Sequence, residues 1–316
     1  MKLHEHQEFD QTILYATEYF REHGLRESLI EKDYYVTETL RVIASMDDTE
    51  VIFKGGTSLS KGWNLIQRFS EDIDMFVQLD GLGSKAVNTK LKKLMNCVTN
   101  NAPLVFLPQK SNTSGGQGRN DCLAYDQKFG GVGEVEGSIR LETGIASGRE
   151  PTELVQLQSF VGKYLQDTQI TLGCDNEGVF KMQLMHFRRT FVEKLFAIHK
   201  KVELYRKEGI PVGTHARHYY DLYQLSKRQE VLDMLLTAEY GEIKEDYERV
   251  SIKYFESHYV RPSNMSFAES CAIFPRGELS EILGKEYEDQ CLMLCYGKYP
   301  SWVSVLERFK ELRSIL

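Results

Sequence analysis

The chain has 316 residues, 41% hydrophobic and 27% charged, with a formal net charge of −7 at pH 7. That balance supplies apolar side chains for one large or two modest cores, contains no run long enough to span a bilayer, and is too acidic for a protein that coats nucleic acid indiscriminately. Met1-Lys2-Leu3-His4-Glu5-His6-Gln7-Glu8 lacks the apolar centre of an export signal, and Cys97, Cys122, Cys174, Cys271, Cys291 and Cys295 are scattered without zinc spacing, so a cytoplasmic location with reduced thiols is expected.

In chain order, residues 9–46 carry two helical patterns that break at Gly24, the second presenting Leu29, Ile30, Tyr34, Val36, Leu40 and Ile43 to the core. Strand-like runs follow at 51–54, 72–79, 104–107, 122–128, 134–143 and 152–160, with a helix at 86–100 between the second and third. The polar, glycine-rich stretch from Gln109 to Asn120 reads as an exposed hairpin or mobile loop. Gly173-Cys174-Asp175-Asn176-Glu177-Gly178 interrupts the pattern, which sets a boundary near 175, and from about 180 the chain reads as mostly helical. The expected architecture is α+β: a small mixed sheet with helices over 1–175, then a helical C-terminal domain over 176–316.

The chemistry concentrates at Phe53-Lys54-Gly55-Gly56-Thr57-Ser58-Leu59, followed by Arg68-Phe69-Ser70-Glu71-Asp72-Ile73-Asp74. Residues two apart on a strand share a face, so Asp72 and Asp74 set two carboxylates roughly 6 to 7 Å apart, the oxygen donors that hard divalent metals prefer. Two glycines without Cβ let backbone amides approach a polyphosphate, and the helix that follows turns its positive end to the same anion. A phosphate cradle beside a metal pair is what nucleotidyl transfer requires.

A third carboxylate is expected from Ser138-Ile139-Arg140-Leu141-Glu142-Thr143, where Arg140 and Glu142 line the face opposite Ile139, Leu141 and Thr143. Glu142 is the preferred ligand, with Glu134 and Glu136 as rivals. Lys194 falls inside the apolar stripe of Leu184, Phe187, Phe191, Leu195 and Ile198, so its ammonium either snorkels out along its stem or meets an anionic partner, a bound triphosphate or a carboxylate. Residues 181–207 hold eight Lys or Arg against two acids, which suits an anionic ligand as well as a solvated helix face. Arg217-His218-Tyr219-Tyr220-Asp221 opens another helix, with Thr214 as its expected cap. There Asp221 is placed to orient Lys194 or to accept a substrate proton, and His218 is read as a structural hydrogen-bonder. Glu31-Lys32-Asp33-Tyr34 is read as surface ion pairing or as charge supporting the cradle.

These blocks, with Thr190-Phe191-Val192-Glu193-Lys194-Leu195 and the closing Tyr296-Gly297-Lys298-Tyr299-Pro300-Ser301, resemble the bacterial AbiEii/AbiGii-type nucleotidyltransferase toxins, which are similar to DNA polymerase β in their catalytic core. The resemblance implies transfer of a nucleoside monophosphate from an NTP, with Mg2+ at a two-metal site or Mn2+ in its place. In relatives the acceptor is often the 3′ end of tRNA, and an antitoxin encoded nearby counters the effect. It implies metal ligation by Asp72, Asp74 and Glu142, and nucleotide binding by Gly55, Gly56, Thr57, Ser58, Arg68 and Ser70. Lys194 and Asp221, from the C-terminal domain, become the catalytic groups. Arg188, Arg189, Lys200 and Arg217 are the bases expected, from the charge pattern, to meet RNA. Two further readings stand beside it: transfer to a protein hydroxyl, and an inactive fold kept as a nucleotide- or protein-binding module. Retention of Gly56, Thr57, Asp72, Asp74, Lys194 and Asp221 argues against the last.

Overall fold

A computed structural model describes residues 1–46, 51–70, 72–79, 81–130 and 135–316. The chain forms two compact units. The first comprises Met1–Trp63, Phe69–Ile145 and Thr152–Leu184, and the second Asn64–Arg68, Ala146–Pro151 and Met185–Leu316. The α+β class expected from the sequence is the one adopted. Among the described residues no helix is long and apolar enough to cross a membrane.

The first unit opens with α1 (Phe9–Tyr19) and α2 (Glu27–Ala44). Not only the apolar residues of α2 are buried but also Glu31, Lys32 and Glu38, so this helix is enclosed well beyond one stripe. Its Glu31-Lys32-Asp33-Tyr34 block is internal scaffolding, not surface ion pairing. Glu31 accepts the backbone N–H groups of Lys128 and Phe129 at 2.7 and 3.0 Å. Asp33 binds Lys61 Nζ at 2.5 Å and the N–H of Phe160 at 2.8 Å.

Strand β1 (Val51–Lys54) runs into the short helix α3 (Gly55–Thr57), which continues as a π-helical turn, Ser58–Gly62. Then come β2 (Asp72–Val77), α4 (Ser84–Asn101), β3 (Val105–Phe106), β4 (Asn112–Ser114), β5 (Gly118–Ala124) and β6 (Ser138–Gly144). The unit closes with β7 (Thr152–Leu157), α5 (Phe160–Asp167) and β8 (Phe180–Met185). The eight strands form one mixed sheet in the order β3-β5-β6-β2-β1-β8-β7, with β4 paired to β5. Strand β2 lies antiparallel to β1 and parallel to β6, and β1 is parallel to β8.

Three local expectations change. The glycine-rich stretch is a hairpin whose turn holds Gly115 and Gly116 at φ 54° and 73°, but its second arm already belongs to the sheet as β5. The strand expected over 152–160 stops at Leu157, because Ser159 caps α5 by accepting the N–H of Gly162 at 2.9 Å. Residues 180–185, expected to be helical, form β8, which buries Met182, Leu184 and Met185. A strand buried beside β1 gains more from the completed ladder than its Met, Gln and Leu gain from helical propensity.

The second unit is helical: α6 (Phe187–Glu208), α7 (Arg217–Leu225), α8 (Gln229–Leu235), α9 (Ala238–Phe255), α10 (Glu278–Leu294) and α11 (Trp302–Leu312). Phe191, Leu195, Ile198, Tyr219, Leu222 and Phe309 are fully buried in its core. Thr214 does not cap α7; it lies within a 3-10 turn, Gly213–Ala216, that leads directly into the helix. The segment 64–68 is strapped to this unit. Gln67 donates its N–H to Tyr220 Oη at 3.0 Å and accepts that of Tyr296 at 3.1 Å, while Arg68 forms an isolated antiparallel bridge with Cys295.

Candidate active site

Strand register builds the acidic face of the first unit. Asp74 lies opposite Lys54 on β1 and Glu142 on β6, and Glu142 lies opposite Asn120 on β5. Residues opposite one another across a ladder point to the same side, so Asn120, Glu142, Asp74 and Lys54 form one lateral row. Asp72 stands two residues from Asp74 on that face, opposite Arg140. Ile73, Ile139 and Leu141, on the other face, are fully buried and fix which way the carboxylates point. Asn120 Nδ2 donates to Glu142 Oε1 at 2.6 Å. Burial, then the charges of Asp74 and Asp72, push the Glu142 carboxyl up to about 7.

The turn after β1 packs directly on this face. Gly55 has φ 76°, and a Cβ there would lie 1.9 Å from Asp74 Oδ2, so both the conformation and the space demand glycine. Gly56 is buried, and Thr57 Oγ1 donates to the carbonyl of Asp72 at 2.5 Å, tying the turn to the start of β2. Ser58 is buried and donates to the carbonyl of Gly55 at 2.9 Å; Ser70 is also buried.

The residues fit a hard divalent cation by donor chemistry. Asp72 and Asp74 offer oxygen ligands on one face, and their repulsion, which adds to burial in raising Glu142, is what a cation would relieve. Among the described residues no three His, Cys, Asp or Glu side chains already converge as a metal cage. Glu136 makes a side-chain hydrogen bond with Ser138 at 3.3 Å, and Glu134 lies outside the described residues.

In the second unit Lys194, on α6, is 6% exposed and Asp221, on α7, is fully buried. Lys194 Nζ meets Asp221 Oδ2 at 2.7 Å and His218 Nδ1 at 3.3 Å, so the anionic partner of the buried ammonium is a carboxylate of the same unit. Arg68 takes the same carboxylate in a fork, Nε to Oδ1 and Nη2 to Oδ2, both at 2.7 Å. Burial alone would raise the Asp221 carboxyl; the Arg68 and Lys194 charges outweigh it and hold the group well below the usual carboxylate range. Burial lowers the Lys194 ammonium, Asp221 opposes that, and Arg68 adds to it. Burial and the neighbouring Lys194 charge drive His218 down to about 3, leaving it a neutral acceptor near pH 7.

Two of the expected ligand residues are buried against protein partners. Arg68, expected among the nucleotide ligands, is 2% exposed and turned onto Asp221. Arg189, expected as an RNA contact, is also 2% exposed. It binds Glu193 at 3.0 Å, Asp246 at 2.6 Å and the carbonyl of Glu150 at 2.9 Å, so it knits α6 to α9. Arg188 pairs with Glu239 at 3.1 Å, whereas Lys200 and Arg217 are half-buried. Lys201, Arg217, Lys200 and Lys194 all act on His215, which burial and these four cations bring down to about 4. Asn120 and Lys54 also stand in the row of Asp74 and Glu142, and nothing local in the sequence reveals the register that places either beside the carboxylates.

Paired carboxylates on a sheet face with a glycine turn packed on them are the arrangement that nucleotidyl transfer uses. The chain belongs to the AbiEii family of nucleotidyl transferase toxins of type IV toxin–antitoxin systems, whose model matches residues 40–300. This is the family its motifs resemble. Its fold is similar to that of MenT4, a nucleotidyltransferase toxin from Mycobacterium tuberculosis H37Rv, with a TM-score of 0.53 and 16% identity over 94% of this chain and 88% of that one. No curated protein matches the sequence.

Proposed function

We propose that the chain transfers a nucleoside monophosphate from an NTP to a hydroxyl of RNA, with the 3′ end of tRNA as acceptor, and that it acts in the cytoplasm against its own translation machinery. The observation that carries this reading is the lateral row of Glu142, Asp74 and Lys54, with Asp72 on the same face and Gly55 seated on Asp74. Gly55, Gly56, Thr57 and Ser58 form the nucleotide-binding turn, and Ser70 is assigned to the same nucleotide. The acceptor oxygen bonds to the α-phosphorus, the bond from that phosphorus to the bridging oxygen breaks, pyrophosphate leaves, and the hydroxyl proton passes to a carboxylate of the face. Asp72 and Asp74 would hold Mg2+, or Mn2+, with Glu142 as third ligand; the bound metal neutralises phosphate charge and sharpens the nucleophile. Lys194 supplies positive charge to the same reaction, and Asp221 holds it in place. Lys200 and Arg217 serve the RNA backbone, and an antitoxin encoded nearby limits the damage.

The test is incubation of the purified protein with Mg2+, each labelled NTP in turn and total cellular RNA, beside an Asp72→Ala/Asp74→Ala variant. Label in a tRNA-sized band for one NTP, absent with the variant, is the expected result. Label in protein would replace the acceptor with a protein hydroxyl, and label nowhere would return the chain to a binding role.

A further inference from the structure

We propose that Arg68 is a positioning residue that acts through Asp221 to set Lys194, and does not itself bind phosphate. This rests on the reading of Lys194 and Asp221 as groups of the reaction.

Three observations carry it. Both carboxylate oxygens of Asp221 are engaged by the Arg68 fork, so the carboxylate plane cannot rotate. Lys194 Nζ shares Oδ2 with that fork, and its second contact is a neutral acceptor, His218 Nδ1. The ammonium position is therefore fixed by the plane that Arg68 sets. Arg68 is itself held at the backbone through its bridge to Cys295, and its neighbour Gln67 is held by Tyr220, which precedes Asp221 on α7. One strap thus fastens both the peptide of Arg68 and the helix that carries Asp221.

The charge balance explains why an arginine belongs there. Arg68 and Lys194 both direct positive charge at the Asp221 carboxylate. If Asp221 faced Lys194 alone, the pair would satisfy each other and the ammonium would have little charge left for a substrate. With Arg68 present the carboxylate is shared, and it stays ionised because two cations face it. A lysine at position 68 would bring the charge without the fork.

The experiment is a double-mutant cycle with chemical rescue on the full chain. Arg68→Ala is expected to slow nucleotidyl transfer about 100-fold, the scale of a misplaced reacting group. Millimolar guanidinium should recover part of that loss, and Arg68→Lys should recover less than the wild-type fork. In an Asp221→Asn background, Arg68→Ala should cost nothing further and guanidinium should rescue nothing. Losses that multiply in the double variant, or rescue that survives without Asp221, would overturn the proposal and put the guanidinium on the substrate. If the wild-type chain transfers no nucleotide at all, it is the proposed activity that fails, and urea midpoints still decide the coupling. There the double variant must lie closer to wild type than the two single losses added together; additive midpoints would reject the clamp.

Discussion

At Gly55 the backbone and a carboxylate compete for one small volume. The residue sits in the left-handed region, and an added Cβ would fall 1.9 Å from Asp74 Oδ2. Gly55→Ala should therefore cost about 1–3 kcal/mol in strain and displace Asp74, lowering transfer about 100-fold. Thermal melts beside single-turnover rates check this, and a variant with unchanged rate would separate the turn from the chemistry. Glu142 gives a prediction of opposite character. Its folded carboxyl is raised from 4.5 to about 7, chiefly by burial and then by Asp74 and Asp72. Between those values the folded protein holds a proton that the unfolded chain has released, so the contribution of Glu142 to stability falls as pH rises through this window and levels off above about 7. Because the group is partly solvated, the loss is about 1–2 kcal/mol after allowance for screening. In metal-free buffer, Glu142→Gln should flatten the fall in urea midpoint between about pH 5 and 8; equal slopes for the two proteins would show that neither burial nor the neighbouring carboxylates raise Glu142 in the folded protein.

Among the elements, the turn that follows β1 is held from behind by α2. Lys61 closes that turn, and its ammonium meets Asp33 at 2.5 Å and the carbonyl of Gln158 at 3.1 Å, while the other Asp33 oxygen caps α5 through Phe160. Asp33→Asn leaves a nearly buried ammonium without its counter-charge, which should cost about 3–5 kcal/mol. Chemical denaturation measures it, and a loss under about 1 kcal/mol would mean the pair is solvated like a surface bridge. The carboxylate pair and the glycine turn were legible in the sequence because both depend on local periodicity: a two-residue repeat fixes a strand face wherever the strand lies. The row containing Asn120, Glu142 and Lys54 was not legible as a row, since register between strands is set by the packed faces of the whole sheet. Strand β8 was misread because Phe180-Lys181-Met182-Gln183-Leu184-Met185 has no β-branched residue and gains its strand character from burial. Helix α5 was missed because its cap, Ser159, stood at the end of a run that reads as strand.

For the molecule as a whole, the distribution of charge bears on the proposed RNA acceptor. Charge counting along 181–207 treats every base alike, but folding spends several of them. Arg188, Arg189, Lys194 and Arg206 are ion-paired, the second with an aspartate 57 residues away that no local reading reveals. Reversing Arg189 would therefore bury two opposing carboxylates against a third and damage folding before it touched RNA. Lys200 and Lys201, on α6 beside His215, make no ion pair among the described residues and so are not committed to a carboxylate of the fold. Lys200→Glu/Lys201→Glu should leave the melting temperature within a few degrees of wild type while weakening RNA binding. Each lost phosphate contact on a single strand removes about 0.7 from the slope of log K against log salt, so the pair should lower that slope by about 1.4. The measurement is RNA affinity at four or more salt concentrations, roughly 50 to 200 mM, on both proteins. A parallel shift with the same slope would mean that the lysines shape the surface without neutralising phosphate, and an unchanged affinity would remove this face of α6 from RNA recognition.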